Sequence, residues 1–217
     1  MICYNLIMFY FGEFNGQRVL KSDFIEGANA FFTFRENSKP QNCISPEQTH
    51  SDNIEVIDNR TEYPNTDGLI VTSPGKAICL KFADCTPLIF YNPKTRIGAI
   101  SHAGWRGTAA QIGVKTIKKM GGDAKDIIAV IGPSIGLCCY EVSEDVKEKL
   151  LKTVTSGTGL IKGNHVDLKG INARQLSEAG VKNIDICPYC TSCDNDLFYS
   201  YRKENGTAER HYAYLKL

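Results

Sequence analysis

Short apolar runs rich in β-branched and aromatic residues recur through the first half of the chain, and they constrain its fold more than any other feature of the sequence. Several of them, 87–91 among these, are apolar throughout and do not alternate with polar residues. Runs of this kind are typical of strands that are covered on both faces of a sheet. The predicted strands lie around residues 2–11, 30–34, 54–57, 68–72, 77–81, 87–91 and 96–101.

Helical periodicity marks the second half of the chain. Apolar and small residues recur on one face of 109–120, lysines occupy the other face, and Gly121-Gly122 provides a stop. A further strand is predicted at 127–131, a second helix from the N-cap residue Ser143, and a third helix over 167–180. The predicted fold class is therefore α+β, with helices packed on the faces of mixed β-sheets.

The composition is that of an ordinary globular protein. The 217 residues are 42% hydrophobic and 23% charged, and neither a repeat nor a linker divides them, so we expect a single domain over residues 1–217. The net charge of +1 comes without a basic stripe, which argues against nucleic acid as a partner. The apolar stretch 1–14 is interrupted by polar residues, so we expect no export signal and no membrane span, and we predict a cytoplasmic protein. Nine cysteines then indicate reduced thiols or metal ligands.

Three residues that can bind a metal stand in distinctive surroundings. His50 follows Gln48-Thr49 in an irregular stretch, and Cys85 lies at the junction of two predicted strands. His102 lies among small residues where a strand gives way to the predicted helix, whose N-terminus favours anions. A His/Cys/His set gives zinc three protein ligands and leaves the fourth tetrahedral position open, as in catalytic sites. The separations of 35 and 17 residues match no short local metal motif.

The strings around these residues carry a family resemblance. Gln48-Thr49-His50, Ala83-Asp84-Cys85-Thr86-Pro87 and Ser101-His102-Ala103-Gly104-Trp105-Arg106-Gly107-Thr108 occur in this order. Together they resemble the laccase-domain family, which is also known as the polyphenol oxidase or purine nucleoside phosphorylase family. The resemblance covers most of the chain and extends to 131–142, 165–168 and 196–202.

This resemblance implies that His50, Cys85 and His102 hold one zinc ion. It also implies the cleavage of adenosine, inosine and methylthioadenosine by phosphate, the deamination of adenosine, and a fold in which mixed β-sheets are sandwiched between α-helical layers. The expected partners are therefore a purine nucleoside and phosphate, with the chain acting as a monomer or a homodimer. Compared with the family pattern, a block is missing between 34–37 and 48–50, and 207–210 replaces an expected Thr-Gly-Arg. These departures would spare the metal site while weakening or redirecting the activity.

Other residues near these strings are candidates for catalysis or substrate binding. Asp84 is predicted to orient a ligand or accept a proton, and its alternative is a turn residue that caps backbone N–H groups. Arg106 is predicted to clamp phosphate, and its alternative is a structural ion pair. Arg35 and Arg202 are predicted to bind substrate by analogy with the family. Trp105, the only tryptophan, is expected to pack in the core rather than to stack on a base.

The cysteines leave alternatives open. Cys85 could be an inert buried thiol, or a nucleophile with His102 as its base, although the ligand role is preferred. Near the C-terminus a CxxCxxC string could seat a second zinc ion if another ligand came from outside it. Thiols that pack in the interior are the favoured interpretation of these residues, which are Cys187, Cys190 and Cys193, with the Cys138-Cys139 pair elsewhere.

The leading functional hypothesis is a zinc enzyme acting on purine nucleosides. A copper-dependent phenol oxidase is one rival, because Cu(II) binds such ligands more tightly than zinc, but the four histidines of the chain are too few for a multicopper oxidase. A second alternative function is the editing of peptidoglycan precursors, as described for some family members, but no residue of the sequence specifically indicates it. A third is a non-catalytic protein that kept the metal to stabilise its fold.

Overall fold

The computed structural model describes residues 9–217. Helices and strands alternate only in the second half of this range, and the first half consists of strands. The strands are β1 (Phe9–Phe14), β2 (Gln17–Ser22), β3 (Asn29–Thr33), β4 (Ile54–Val56), β5 (Gly68–Val71), β6 (Ala77–Phe82), β7 (Thr86–Asn92), β8 (Ile97–Ala103), β9 (Ile128–Ile131), β10 (Ile161–Lys162), β11 (His165–Val166), β12 (Asn183–Ile186) and β13 (His211–Lys216). The helices are α1 (Trp105–Ala109), α2 (Ile112–Met120), α3 (Glu144–Leu151) and α4 (Leu168–Glu178), with a short 3₁₀ helix at Ala124–Asp126.

Two large sheets organise these elements. The five-stranded sheet has the order β1-β2-β3-β13-β6 and is antiparallel throughout. The six-stranded sheet has the order β12-β9-β7-β8-β5-β4 and is mixed, because β12 runs parallel to β9 and β4 parallel to β5. The strands β10 and β11 form a small ribbon. The prediction of an α+β fold with mixed sheets is confirmed.

The six-stranded sheet is buried on both faces, which explains why its strands are apolar throughout. Side chains such as Val71 and Ile89 point toward the five-stranded sheet and share a core with Phe32 and Leu80. Side chains on the opposite face pack beneath α2 and α4. Each fully buried Leu, Ile or Phe contributes about 1.5–3 kcal/mol relative to an exposed one, so the two cores fix the stacking of the layers. The helix-facing core includes Ile70, Leu88, Phe90, Ile112, Ile117, Met120, Ile131 and Leu176.

The predicted helix over 109–120 is wrong in one respect, because the structure contains two helices there. Gln111 adopts a left-handed conformation with φ of 56° and separates α1 from α2. The side chain of Gln175 on α4 donates a hydrogen bond of 3.0 Å to the backbone carbonyl of Thr108 at this break. The first piece, Trp105–Ala109, has five residues and no side-chain cap. The helix whose N-terminus follows His102 is therefore only this short piece, and its expected contribution to anion binding stays a prediction.

The N-terminal strand also differs from its prediction. The predicted strand at 2–11 lies partly outside the described residues, and the described part continues to Phe14. Asn15 and Gly16, with φ of 51° and 77°, then form a tight hairpin turn that leads into β2, a strand missing from the prediction although Asn-Gly is a strong hairpin signal. The helix predicted over 167–180 is present as α4, and Asp167 caps it by accepting a 3.0 Å hydrogen bond from the backbone N–H of Gly170.

None of the helices in residues 9–217 is long and apolar enough to cross a membrane. The predictions of a single domain over 1–217, of no nucleic-acid partner and of a monomer or homodimer stay predictions.

Candidate metal centre

The pairing of β7 with β8 brings Cys85 and His102 to the same end of the six-stranded sheet. Thr86 is opposite Ala103 and Pro87 is opposite His102 in this antiparallel ladder, so Cys85, just before β7, lies beside the end of β8. His50 comes from the loop before β4, where its left-handed backbone, with φ of 62°, turns the chain toward the same end. Three distant segments of the sequence thus converge at one end of the six-stranded sheet, beside its central strands.

The donor atoms of these residues are arranged as metal ligands. One ligand atom each from His50, Cys85 and His102 lies within 4.8 Å of the others. The two imidazole rings meet edge to face, with centroids 4.8 Å apart. His102 is buried, Cys85 is half-buried and His50 is exposed, so the site is closed on the protein side and open toward solvent beside His50. Three protein donors of sulfur and nitrogen type with one open side match the ligand types and the open position of catalytic zinc sites.

Gly104 leaves the space that this donor set needs. A Cβ atom at this position would lie 2.9 Å from Cys85 Sγ and 3.2 Å from His50 Cδ2. The φ of Gly104 is −69°, a value that any residue adopts, so the glycine serves close approach rather than backbone conformation. The residues present therefore fit a metal ion.

Asp67 organises two of the three ligands. Its Oδ1 lies 2.7 Å from Nδ1 of His102 and also accepts a hydrogen bond of 3.1 Å from the backbone N–H of His50. Its Oδ2 accepts hydrogen bonds from the backbone N–H groups of Thr49 and Ser51 and from the Ser51 hydroxyl. The carboxylate is fully buried. Because an ionised carboxylate only accepts, Nδ1 of His102 carries a proton toward Asp67, and Nε2 is the nitrogen that would bind a metal after losing its own proton.

The charges of the site stabilise a thiolate at Cys85 and a protonated imidazole at His102, which would release its Nε2 proton when a metal binds. Burial raises the pKa of Cys85, but the positive charge and hydrogen bonds of His102, with a further hydrogen bond from His50, outweigh it and lower the pKa to about 6. Burial lowers the pKa of His102, but Cys85 and Asp67 outweigh it and raise the pKa to about 9. Burial likewise opposes ionisation of Asp67, yet bonds from His102 and Ser51 lower its pKa to about 2. The thiolate that binds metals is thus the stable form of Cys85 at neutral pH.

Asp84 immediately precedes Cys85, but its carboxylate points to neighbouring loops. Its Oδ1 accepts a hydrogen bond of 2.7 Å from the Thr191 hydroxyl, and its Oδ2 accepts one of 2.7 Å from the backbone N–H of Arg202. Its left-handed backbone, with φ of 79°, forms the turn that presents Cys85. These bonds correspond to the alternative in which Asp84 caps backbone groups. A catalytic role for Asp84 stays a prediction.

Two arginines and a tyrosine lie near the ligands. The guanidinium group of Arg202 lies 5.4 Å from the ring centre of Tyr140, and that of Arg106 lies 4.4 Å from the ring centre of Trp105. Burial raises the pKa of Tyr140 to about 12, with the charges of Cys85 and Asp84 adding to this shift and those of Arg202 and Arg106 opposing it. The charges of both guanidinium groups and of the ligand Cys85 therefore all act on Tyr140.

Arg35 takes part in contacts within the protein. Its guanidinium group pairs with Glu204 at 3.5 Å, lies 4.7 Å from the ring centre of Tyr199, and donates to the backbone carbonyl of Asn195. These contacts tie the end of β3 to the segment before β13. Its predicted role in substrate binding stays a prediction. Trp105 packs against the small cluster that includes Val146 and Leu150, as expected for a core residue.

Together these features define an α+β protein with two large sheets and a His/Cys/His donor set, suited to one metal ion, at the end of the central strands β7 and β8. The chain belongs to the family described as multi-copper polyphenol oxidoreductase laccase, whose model matches residues 26–217. The sequence is 32% identical over 195 residues to purine nucleoside phosphorylase YlmD of Bacillus subtilis, covering 80% of this chain and 70% of the relative. It is 35% identical over 191 residues to the YlmD of Geobacillus stearothermophilus, covering 78% and 70% respectively.

Comparison with solved structures agrees with this family membership. The crystal structure of YlmD from Geobacillus stearothermophilus superposes with a TM-score of 0.83 at 28% identity, covering 95% of this chain and 98% of that one. The resemblance of the sequence to the laccase-domain family is thereby confirmed.

Sequence reasoning missed two residues of this site. Asp67 directly precedes β5, where an aspartate is an ordinary turn residue, and only the fold brings it to His102. Tyr140 lies in a string that resembles the family, at 131–142, but nothing in its spacing indicated that its ring would lie beside Arg202.

Proposed function

We propose that this protein is a zinc-dependent purine nucleoside phosphorylase that cleaves adenosine, inosine or methylthioadenosine with phosphate. The observation that carries this proposal is the His50, Cys85 and His102 set, organised by Asp67 and open on one side, with two guanidinium groups nearby. A site for phosphorolysis must hold an anionic nucleophile and a neutral nucleoside together, and this arrangement offers positive charge beside an open metal position. The printed names of the Bacillus and Geobacillus relatives support the same activity.

Zinc is the metal that we propose for this site. Imidazole and thiolate groups both bind zinc, and three protein ligands with one open position are the pattern of catalytic zinc sites. Copper would bind these donors tightly, but oxidation of phenols by a multicopper centre needs additional histidines, and the chain has four in total. Of the other two, His211 is buried in the core and His165 belongs to the β10–β11 ribbon. Bound zinc would supply a Lewis acid that polarises a substrate oxygen.

The protein's own residues then divide the remaining tasks. Arg106 and Arg202 bind the oxygens of phosphate, because a guanidinium group matches the geometry of an oxyanion with paired donors. Asp84 acts as a positioning residue, since its carboxylate holds the backbone of Arg202 at 2.7 Å. Asp67 fixes the orientation of His102 and the conformation of the loop that carries His50. Tyr140 packs against Arg202, whose guanidinium group lies 5.4 Å from the ring centre, and so helps to position this arginine.

The test is an assay for free base and ribose 1-phosphate, with and without phosphate, on protein whose zinc content has been measured. Phosphate-dependent release of base from inosine, lost in His102→Ala and Cys85→Ala, is the expected result. Conversion of adenosine to inosine without phosphate would redirect the proposal to deamination. A zinc-loaded protein that releases no base from any of the three nucleosides would contradict it.

A further inference from the structure

Four cysteines form a second cluster of metal-ligand type, separate from the site of His50, Cys85 and His102. One sulfur each from Cys138, Cys139, Cys190 and Cys193 lies within 4.8 Å of the other three. Cys193 Sγ lies 3.5 Å from both Cys138 Sγ and Cys139 Sγ. The third cysteine of the CxxCxxC string, Cys187, is not part of this cluster and is buried in the core between the two sheets.

The spacing of these sulfur atoms matches a tetrahedral zinc site. Four thiolates at about 2.3 Å from a zinc ion lie about 3.8 Å from one another, because a tetrahedral edge is about 1.6 times the bond length. The 3.5 Å separations around Cys193 are close to this value. A site with four cysteine ligands has no open position, which is typical of structural zinc and not of catalytic zinc.

Backbone hydrogen bonds join the loop that carries Cys138 and Cys139 to the loop that carries Cys190 and Cys193, so that the four thiols meet. Ser134 and Cys190 form a parallel bridge, and the backbone N–H of Thr191 donates to the carbonyl of Ser134 at 3.1 Å. The backbone N–H of Gly136 donates to Cys190 Sγ at 3.2 Å. A Cβ on Gly136 would lie 3.3 Å from Cys138 Sγ, so the absence of a side chain there permits this close packing.

A buried positive charge adjoins the same loop. The ammonium group of Lys169 on α4 is buried and donates to the backbone carbonyls of Cys187 and Tyr189, at 2.7 and 2.8 Å. Cys190 follows directly. Four thiolates around a divalent ion leave a net negative charge, and a buried ammonium group close by stabilises such a charge in a medium of low dielectric constant. Cys138 and Cys193 are exposed, which gives an ion access from solvent.

We propose that Cys138, Cys139, Cys190 and Cys193 bind a structural zinc ion that joins these two loops. Both loops border the first metal site, because Tyr140 follows Cys139 and the Thr191 hydroxyl donates to Asp84. The zinc ion therefore holds the wall of the catalytic site in place and takes no part in the reaction. This second site stands on its own geometry, and it holds whether or not the protein cleaves nucleosides.

Zinc content per chain tests the proposal directly. The full-length protein is expressed in zinc-supplemented medium and purified under reducing conditions, and its zinc is then quantified by mass spectrometry. We expect two zinc ions in the wild type, one in the Cys138→Ser/Cys193→Ser double variant and one in His102→Ala. Cys43→Ser, a half-buried cysteine outside both clusters, is the matched control and should keep two. The ion that remains in the double variant shows that it has folded.

A second measurement separates a zinc site from thiols that merely pack. Chelation of the His102→Ala protein, which retains only the second ion, should lower its melting temperature, and added zinc should restore it. The Cys138→Ser/Cys193→Ser/His102→Ala variant should show no such response. Equal zinc content in the wild type and the Cys138→Ser/Cys193→Ser variant would overturn the proposal. So would a disulfide bond between any two of the four cysteines in the protein as purified under non-reducing conditions.

Discussion

Oδ1 of Asp67 lies 2.7 Å from Nδ1 of His102, across 35 positions of sequence, in a pair that solvent hardly reaches. The same carboxylate binds the backbone of the loop that carries His50. One side chain therefore sets both the ring orientation of one ligand and the backbone conformation of another. Loss of a carboxylate that accepts the second ring proton of a metal-bound histidine commonly lowers metal affinity ten- to a hundredfold. This corresponds to a binding free energy of about 1.4–2.7 kcal/mol.

Asp67→Asn should weaken zinc binding at the His50, Cys85 and His102 site by about ten- to a hundredfold. The amide keeps the shape of the carboxylate but loses its charge, and one of its two polar atoms becomes a donor that faces other donors. Competition with a chromophoric chelator measures this affinity. Asp58→Asn, which removes an exposed carboxylate paired with Arg60, is the control and should bind zinc like the wild type. Unchanged affinity in Asp67→Asn would show that the buried carboxylate serves the fold alone.

Gly104→Ala should reduce zinc affinity at this site by roughly tenfold or more. The added methyl group would lie 2.9 Å from Cys85 Sγ, a distance that forces the sulfur or the backbone to move. Overpacking of this kind costs about 1–3 kcal/mol, and here the cost falls on the ligand geometry. Gly12→Ala is the control, because its Cβ would meet only the flexible side chains of Lys21 and Tyr10. The same chelator competition applies, and wild-type affinity in Gly104→Ala would refute the argument from close approach.

The apolar strands of the six-stranded sheet could be predicted because burial on both faces leaves a continuous apolar pattern, as in β7. The strand β2 has no such pattern, since the exposed pair Gln17-Arg18 is followed by the buried pair Val19-Leu20, which is neither a continuous nor an alternating apolar run. The break at Gln111 could not be predicted either. A glutamine in the left-handed conformation has no sequence signature, and tertiary hydrogen bonds from α4 accompany the break.

In the metal site, too, residues in recognisable local strings could be predicted, whereas residues that only the fold brings together could not. His50, Cys85 and His102 could be predicted because each lies in a string that resembles the family. Asp67 could not, because a lone aspartate before a strand is common and its role depends on the antiparallel pairing of β5 with β8. The four-cysteine cluster was only partly indicated, since the sequence grouped Cys187 with Cys190 and Cys193. The fold instead turns Cys187 into the core and brings Cys138 and Cys139 to the other two.

Arg106→Lys should raise the KM for phosphate by about tenfold and leave the KM for inosine near its wild-type value. A charge-assisted hydrogen bond is worth about 1.5–3 kcal/mol, and a lysine keeps the charge while losing the paired donors. Steady-state assays at varied phosphate and saturating inosine measure the effect. Arg60→Lys, an exposed arginine paired with Glu55, is the matched control. A parallel rise in both KM values would assign Arg106 to the architecture of the site and not to phosphate.

His211→Phe should make the protein less sensitive to acid. His211 is fully buried at the start of β13, with its ring beside those of Phe82 and Phe198, and burial lowers its pKa from 6.5 to about 3. As the pH falls below 6.5, the unfolded chain binds a proton at this residue and the folded chain does not, so stability decreases until the pH approaches 3. Each pH unit in this window costs about 1.4 kcal/mol, which amounts to about 2 kcal/mol between pH 6.5 and pH 5. Urea unfolding of the metal-loaded protein at these two pH values measures the loss, and the phenylalanine variant should lose less by about that amount. Each protein is compared with itself at the two pH values, so any packing cost of the larger ring cancels. An identical loss in both proteins would mean that His211 takes up its proton in the folded state as readily as in the unfolded chain.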